Sequence, residues 1–445
     1  MLLAAAPPAR PPNPEVEVAK LVGAALTDGL TYARVEDLSD RIGPRLSGSK
    51  GAANAVLWAK AQLEAEGLKP VLEPVEVPHW VRGEERGEIS SDLRFGAMPL
   101  ALTALGGCGA TPAEGLTAEV VEVDSLQALA ALGEKARGKI VYFTHHMAGP
   151  QDYGQGSVLR THGANAAAKL GAVAMLVRSL STASLRAPHT GMTAFDPGVA
   201  PIPAAALALA DSERLHRALA GGPVKVHLVL TPKILPDADS FNVVAQVNGR
   251  EKPEEIVEFS AHLDSWDLAQ GAEDDAAGVA MVLEAARLIS RLSPPPRRTV
   301  RFVLYMNEEN GQAGGKAYAK AHASELSRHV AALEADFGAA RPMGIGVHAG
   351  PGAEAVLAAL ARPLATLGAG SVVAGHAGGA DVDELEGVPL VSVRQDGTHY
   401  FDVHHSAADT LDHIRPLELA LASAAWTALT YQLAESTQLL PRPAK

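Results

Sequence analysis

Apolar residues recur at three- and four-residue intervals over 16–26 and 52–66, which predicts two amphipathic helices, the second ended by Gly67. Between them Gly43-Pro44-Arg45-Leu46-Ser47-Gly48-Ser49 reads as a loop. From about 118 to 233 the rhythm shortens: 120–123, 139–143, 173–177 and 204–207 read as strands, and 164–170 as a helix that begins after Gly163. Past Pro236, strands at 241–247 and 256–260 are joined by a turn opening with Asn248-Gly249, a hairpin signal. Helices at 277–289, 315–326, 353–367 and 417–433 then alternate with strands at 300–306, 330–334 and 390–393. Val279, Val282, Leu283, Ala286 and Ile289 form one stripe of the first of these helices, and Pro294-Pro295-Pro296 bars its continuation. The strand at 300–306 is nearly all apolar, as a strand covered on both faces should be.

This alternation predicts an α/β fold: a mixed, mostly parallel central sheet sandwiched by helices, with a smaller α/β domain inserted. The expected boundaries are a disordered lead-in at 1–14, a main domain from 15–117 and 237–440, and an insert at 118–236. Pro232-Lys233-Ile234-Leu235-Pro236 would be the exit from the insert.

Composition narrows the partners. At 445 residues the chain is too long for one ordinary core. A formal charge of −13 disfavours a nucleic acid, whose phosphates would be repelled. Cys108 is the only cysteine, so no intrachain disulfide is possible, and Gly106-Gly107-Cys108-Gly109 reads as a tight turn around a small residue. No apolar run approaches the roughly 18–20 residues that span a bilayer. Residues 1–8 are apolar without a preceding Lys or Arg, a poor export signal. The expected location is a secreted or periplasmic one if a signal lies upstream, and the cytoplasm otherwise.

The chemistry collects at strand ends, where ligands gather in α/β sheets. His262-Leu263-Asp264-Ser265-Trp266-Asp267 ends one strand, and Gly271-Ala272-Glu273-Asp274-Asp275 opens the next helix. His262 can give a ring nitrogen to a metal, and Asp264, two residues on, can accept its other N–H. Of Asp274 and Asp275, one can cap the helix and one can bridge two cations; Glu273 is the weaker candidate. Glu308 and Glu309 follow an apolar strand and should point to opposite sides, one binding metal and one acting as base. Asp336 follows the strand at 330–334, as a ligand or a turn former. Of His404 and His405, one should point into the site and one away. His145, His146, His348, His376 and His399 read as structural or surface residues. The set matches what a hydrolytic two-metal site needs.

These motifs, in this order, resemble the co-catalytic di-zinc aminopeptidase family: His-Leu-Asp-Ser, Gly-Ala-x-Asp-Asp-x-x-Gly, Glu-Glu at a strand end, Asp-x-Gly and His-Ser-x-x-Asp-Thr. The likeness extends to Pro78–Glu85, Gly106–Pro112 and Gly387-Val388-Pro389, and covers nearly the whole chain. It implies two zinc ions, or another divalent transition metal, one held by His262, Asp274 and Asp336 and the other by Asp274, Glu309 and His405. It implies Glu308 as the base and Asp264 as the residue that orients His262. It also implies that the insert is a protease-associated domain, and that a homodimer is the default assembly. The activity implied is exopeptidase hydrolysis of dipeptides or short peptides with a free N-terminus through a metal-bound hydroxide. Alternatives are a related zinc amidohydrolase or glutaminyl-cyclase-like enzyme, or a non-catalytic receptor-like module. The segment Asn310–Gly315 fits the family loosely, but it contains none of these residues.

Overall fold

The computed structural model describes residues 13–90, 97–375 and 377–444; most of the expected lead-in, and His376, lie outside them. The described strands are β1 Val71–Val81, β2 Glu85–Ile89, β3 Met98–Pro99, β4 Leu102–Ala104, β5 Leu116–Val123, β6 Ile140–Phe143, β7 Ala174–Arg178, β8 Ala204–Leu207, β9 Lys225–Leu230, β10 Lys233–Val247, β11 Lys252–His262, β12 Arg298–Tyr305, β13 His329–Glu334, β14 Pro342–His348, β15 Val372–Ala374 and β16 Leu390–Gln395. They form two eight-stranded sheets, ordered β1-β10-β12-β11-β13-β16-β14-β15 and β3-β2-β9-β5-β6-β7-β8-β4.

In the first sheet β12, β11, β13 and β16 are parallel neighbours, with antiparallel pairs β1–β10, β10–β12 and β14–β16 toward the edges. Side-chain alternation divides its faces. Val257, Phe259 and Ala261 of β11 join Val300, Phe302 and Leu304 of β12 in a core with helices Ala277–Ser290 and Pro416–Glu435. Trp426 stacks on Phe259 there, with ring centroids 5.2 Å apart. On the other face Val303 and Tyr305 meet Tyr318 of helix Ala313–Ala321. The sheet is thus mixed and covered on both sides, as the sequence predicts.

Three local expectations change. Asn248-Gly249 does not join a hairpin, because β12 lies between β10 and β11. The turn instead packs on the entry to β12: the Gly249 N–H donates to Thr299 Oγ1 at 3.1 Å, and a Cβ on Gly249 would sit 2.5 Å from the Arg298 backbone. The helix expected at 164–170 runs over Tyr153–Lys169. Gly163 lies inside it, where a Cβ would meet the Phe143 ring at 2.6 Å, so this glycine serves close packing and not a helix start. Finally, the second sheet begins well before 118. β2 pairs with β9 and β4 with β8, so two strands that precede residue 118 join strands far along the chain. Segments this short leave little periodicity to read. The expected exit at 232–236 lies largely within β10, whose first half pairs with β1 and whose second half lies between β1 and β12.

The two sheets have separate cores, but Trp80, Leu46 and Trp266 of the first unit are buried in the second one's core. Arg82 fastens the same junction, donating to the Asp267 carboxylate at 2.7 Å and to Glu85 at 2.7 Å. The loop after β11 is therefore held from both sides.

Candidate metal centre

Parallel β11, β12 and β13 end side by side, and each delivers acidic or imidazole side chains to one point. His262 is the last residue of β11 and is fully buried. Its Nε2 lies 3.0 Å from Asp274 Oδ1 and 3.4 Å from Asp336 Oδ1. Asp336 stands two residues beyond β13. On the other side of Asp274, Oδ2 lies 3.2 Å from His405 Nε2, which in turn lies 2.8 Å from Glu309 Oε2. Asp274 thus faces imidazoles with both oxygens, His262 with Oδ1 and the His404–His405 pair with Oδ2. Among the described residues, two three-residue groups could hold a cation, His262, Asp274 and Asp336, and Asp274, His404 and His405.

The turn Ala272–Ala276 divides the aspartates, and the peptide bond between them is cis. Asp275 caps the helix that follows, accepting the Gly278 N–H at 2.9 Å, and also accepts the His262 N–H at 3.2 Å. Asp274 is left for the histidines. Glu273 turns away and accepts the Ala339 N–H at 2.7 Å; burial pushes its carboxyl up to about 7.

Glu308 and Glu309 do not point to opposite sides. β12 ends at Tyr305, so the pair lies in a turn where strand alternation no longer applies, and both line one cavity. His404 and His405 likewise both face inward. They follow the short helix Tyr400–Val403 and not a strand end, and their rings stack 3.6 Å apart. His404 Nε2 lies 3.5 Å from Asp274 Oδ2. His405 has φ 58°, the left-handed region, which turns its ring back toward Asp274.

Asp264 is placed differently from the expectation. Its Oδ1 is 3.9 Å from His262 Nδ1, whereas its backbone carbonyl is 3.2 Å away. Oδ1 accepts the N–H groups of Asn307 at 2.7 Å and Glu308 at 3.1 Å.

Other residues around the site were not visible in sequence spacing. Asp409 accepts the N–H groups of Glu273 at 2.7 Å and Asp274 at 3.2 Å, which explains the Asp of the Asp-Thr pair. Arg45 is wholly buried and donates to the carbonyls of Gly43, Leu263, Gln270 and Gly271 at 2.6–3.1 Å. From the second unit, the Thr190 N–H donates to the His405 carbonyl at 2.7 Å, while the Thr190 carbonyl lies 3.3 Å from His405 Nδ1. His145 lies 3.2 Å from the Asp152 backbone carbonyl and His399 pairs with the Asp402 carboxylate, and they and His146 and His348 lie outside the cluster.

Electrostatics fit a cation-binding cluster. Burial opposes charge on His262, but Asp336 and Asp274 outweigh it and hold its pKa well above the usual value. Burial likewise opposes ionisation of Asp274, and hydrogen bonds to His262 and His405 overturn that, holding it well below the carboxylate range. Removal from water, then repulsion from Asp336 and Glu309, pushes Glu308 well up. Positive charge is what the crowded carboxylates lack.

The cluster lies in a cavity of about 370 Å³ lined also by Phe337, Tyr400 and Phe401 and, from the second unit, by Tyr153, Ser157, Arg160, Thr161 and Met192. A larger cavity of about 970 Å³ shares Tyr153, Asp336, Phe337 and Phe401 with it.

Residues 242–430 match Peptidase family M28. Carboxypeptidase Q from Homo sapiens is 38% identical over 416 residues, covering 93% of this chain and 87% of that protein. The crystal structure of a Peptidase M28 precursor from Shewanella amazonensis SB2B is similar with a TM-score of 0.92 and 40% identity, covering 97% of this chain and 99% of that one. A zinc aminopeptidase from Bacillus subtilis, 20% identical with a TM-score of 0.67 over 93% of this chain and 96% of that one, shares the fold. The chain therefore belongs to peptidase family M28, and it is a metallo-exopeptidase.

Proposed function

We propose that this enzyme is a zinc-dependent exopeptidase that cleaves dipeptides or short peptides with a free N-terminus, using two zinc ions. His262, Asp274 and Asp336 would hold one ion, and Asp274, Glu309 and His405 the other. The observation that carries this reading is the two-sided placement of Asp274, with Oδ1 3.0 Å from His262 and Oδ2 3.2 Å from His405. The donors fit: Glu309 Oε1 is buried without a hydrogen-bond partner, and a mixed imidazole and carboxylate set suits zinc. Bound there, zinc supplies a Lewis acid that polarises the scissile carbonyl and lowers the pKa of water.

The chain's own residues do the rest. Glu308 lines the cavity beside these donors and is the group to take a proton from the attacking water and pass it to the leaving amine. Asp264 fixes the backbone at Glu308, and Asp409 fixes the backbone at Asp274. We read the second sheet and its helices as a protease-associated insert, whose helix Tyr153–Lys169 walls the cleft.

The test is metal analysis combined with a dipeptide library, before and after chelation. The expected result is two zinc ions per chain and cleavage that stops on chelation and returns with zinc. Full activity in metal-free protein would overturn the reading.

A further inference from the structure

Charge is distributed unevenly around the cavity. Asp274, Glu308, Glu309 and Asp336 line one part of it, and Arg160 is the only Lys or Arg among the described lining residues. Arg160 lies on helix Tyr153–Lys169 and is 6% exposed. Its Nη1 donates to the Thr190 carbonyl at 3.1 Å and lies 3.4 Å from His405 Nδ1. Its Nη2 donates to Tyr153 Oη at 3.0 Å, and its Nε is buried without a partner. Because Tyr153 Oη accepts from the guanidinium, its own proton is free to be donated into the cleft, and the adjacent charge strengthens that donation.

Arg160 forms no ion pair with a carboxylate of the described residues. A buried guanidinium is ordinarily paired. Here an anion from outside the chain can complete the pairing.

Position decides which anion. The His405 ring faces Asp274 and Glu309 with Nε2 and Arg160 with Nδ1, so one imidazole separates the guanidinium from the proposed cation position. In a dipeptide the C-terminal carboxylate lies one residue, about 3.5 Å, beyond the scissile carbonyl. Arg160 and Tyr153 line the same cavity as Asp274, Glu309 and His405, so the residue after the scissile carbonyl can carry its carboxylate toward the guanidinium.

We propose that Arg160, with the Tyr153 hydroxyl, binds the free C-terminal carboxylate of the substrate and so selects peptides that end one residue past the scissile bond. This rests on the peptidase reading above and assigns the carboxylate end of its substrate to the insert.

The zinc-loaded enzyme is assayed on a dipeptide and on the same dipeptide as its C-terminal amide, with Arg160→Met, Arg160→Lys and Tyr153→Phe alongside. Zinc content and near-UV circular dichroism report whether each variant is intact. Wild type should prefer the free acid, and Arg160→Met should lower that preference about 10- to 100-fold, mainly through KM. Arg160→Lys should restore part of it. Should Arg160→Met misfold, Tyr153→Phe carries the same ratio test, with a several-fold drop expected and no drop overturning the proposal. Equal losses on acid and amide would assign Arg160 to positioning His405 and overturn it, as would a wild type that cleaves both equally. A wild type that cleaves neither would overturn the peptidase reading itself, and this inference with it.

Discussion

Asp264 holds Glu308 by the backbone: its Oδ1 accepts the Glu308 N–H at 3.1 Å. The same oxygen accepts the Asn307 N–H at 2.7 Å, where φ is 72°. A non-glycine residue enters that left-handed region at a cost, and the paired hydrogen bonds offset it. Asp264 therefore sets where the turn carrying the two glutamates sits.

Asp264→Ala should loosen that turn and lower kcat about 100-fold, the scale of a base misplaced by about 1 Å. Zinc content should stay near that of wild type. Loss of zinc in this variant would instead return Asp264 to a role on the His262 ring.

Glu308→Gln keeps the shape and removes the proton acceptor. Turnover should fall about 10²- to 10⁴-fold while zinc content and the thermal transition stay at wild-type values. Near-normal turnover would remove Glu308 from the chemistry.

Arg45 joins four carbonyls from two segments beneath the cluster. Arg45→Met leaves those acceptors buried and unpaired, and it removes a cation near Asp409, Asp264, Asp275 and Asp274. A loss of about 3 kcal/mol is expected in denaturant unfolding. A variant as stable as wild type would show that water replaces the guanidinium.

His322 carries a pH signature far from the cluster. The hydrogen-bonded Glu73 carboxylate, 3.0 Å away, holds its pKa above the usual value against the effect of burial. The raised folded value means the stabilisation is complete below the unfolded pKa of about 6.5 and is lost as pH rises through the folded value. Wild type should therefore exceed His322→Gln in stability at about pH 6, by a margin that shrinks at higher pH. A margin that grows with pH would contradict the pairing.

Much of the arrangement was legible before the fold. β8 occupies 204–207, as its apolar run predicts, and His262 ends β11 as the strand reading requires. The residues that misled did so for local reasons. Asn248-Gly249 makes a turn, but a turn does not fix which strand comes to lie beside it. Gly163 reads as a helix boundary until the Phe143 ring is seen against it. Strand alternation predicts opposed directions for Glu308 and Glu309, and it fails because the strand has already ended at Tyr305.

The sequence alone determined the kinds of side chain and their order, and its hydrophobic periods placed His262 and the paired glutamates at the ends of buried strands. Tertiary structure decided direction and company. Asp274 rather than Asp275 faces the histidines because Asp275 is taken by the Gly278 and His262 N–H groups. His404 and His405 both turn inward because a backbone at φ 58° lies outside strand geometry. Arg160 reaches His405 across 245 residues of chain, and contacts of that span follow from how two sheets pack, which no local pattern of residues encodes.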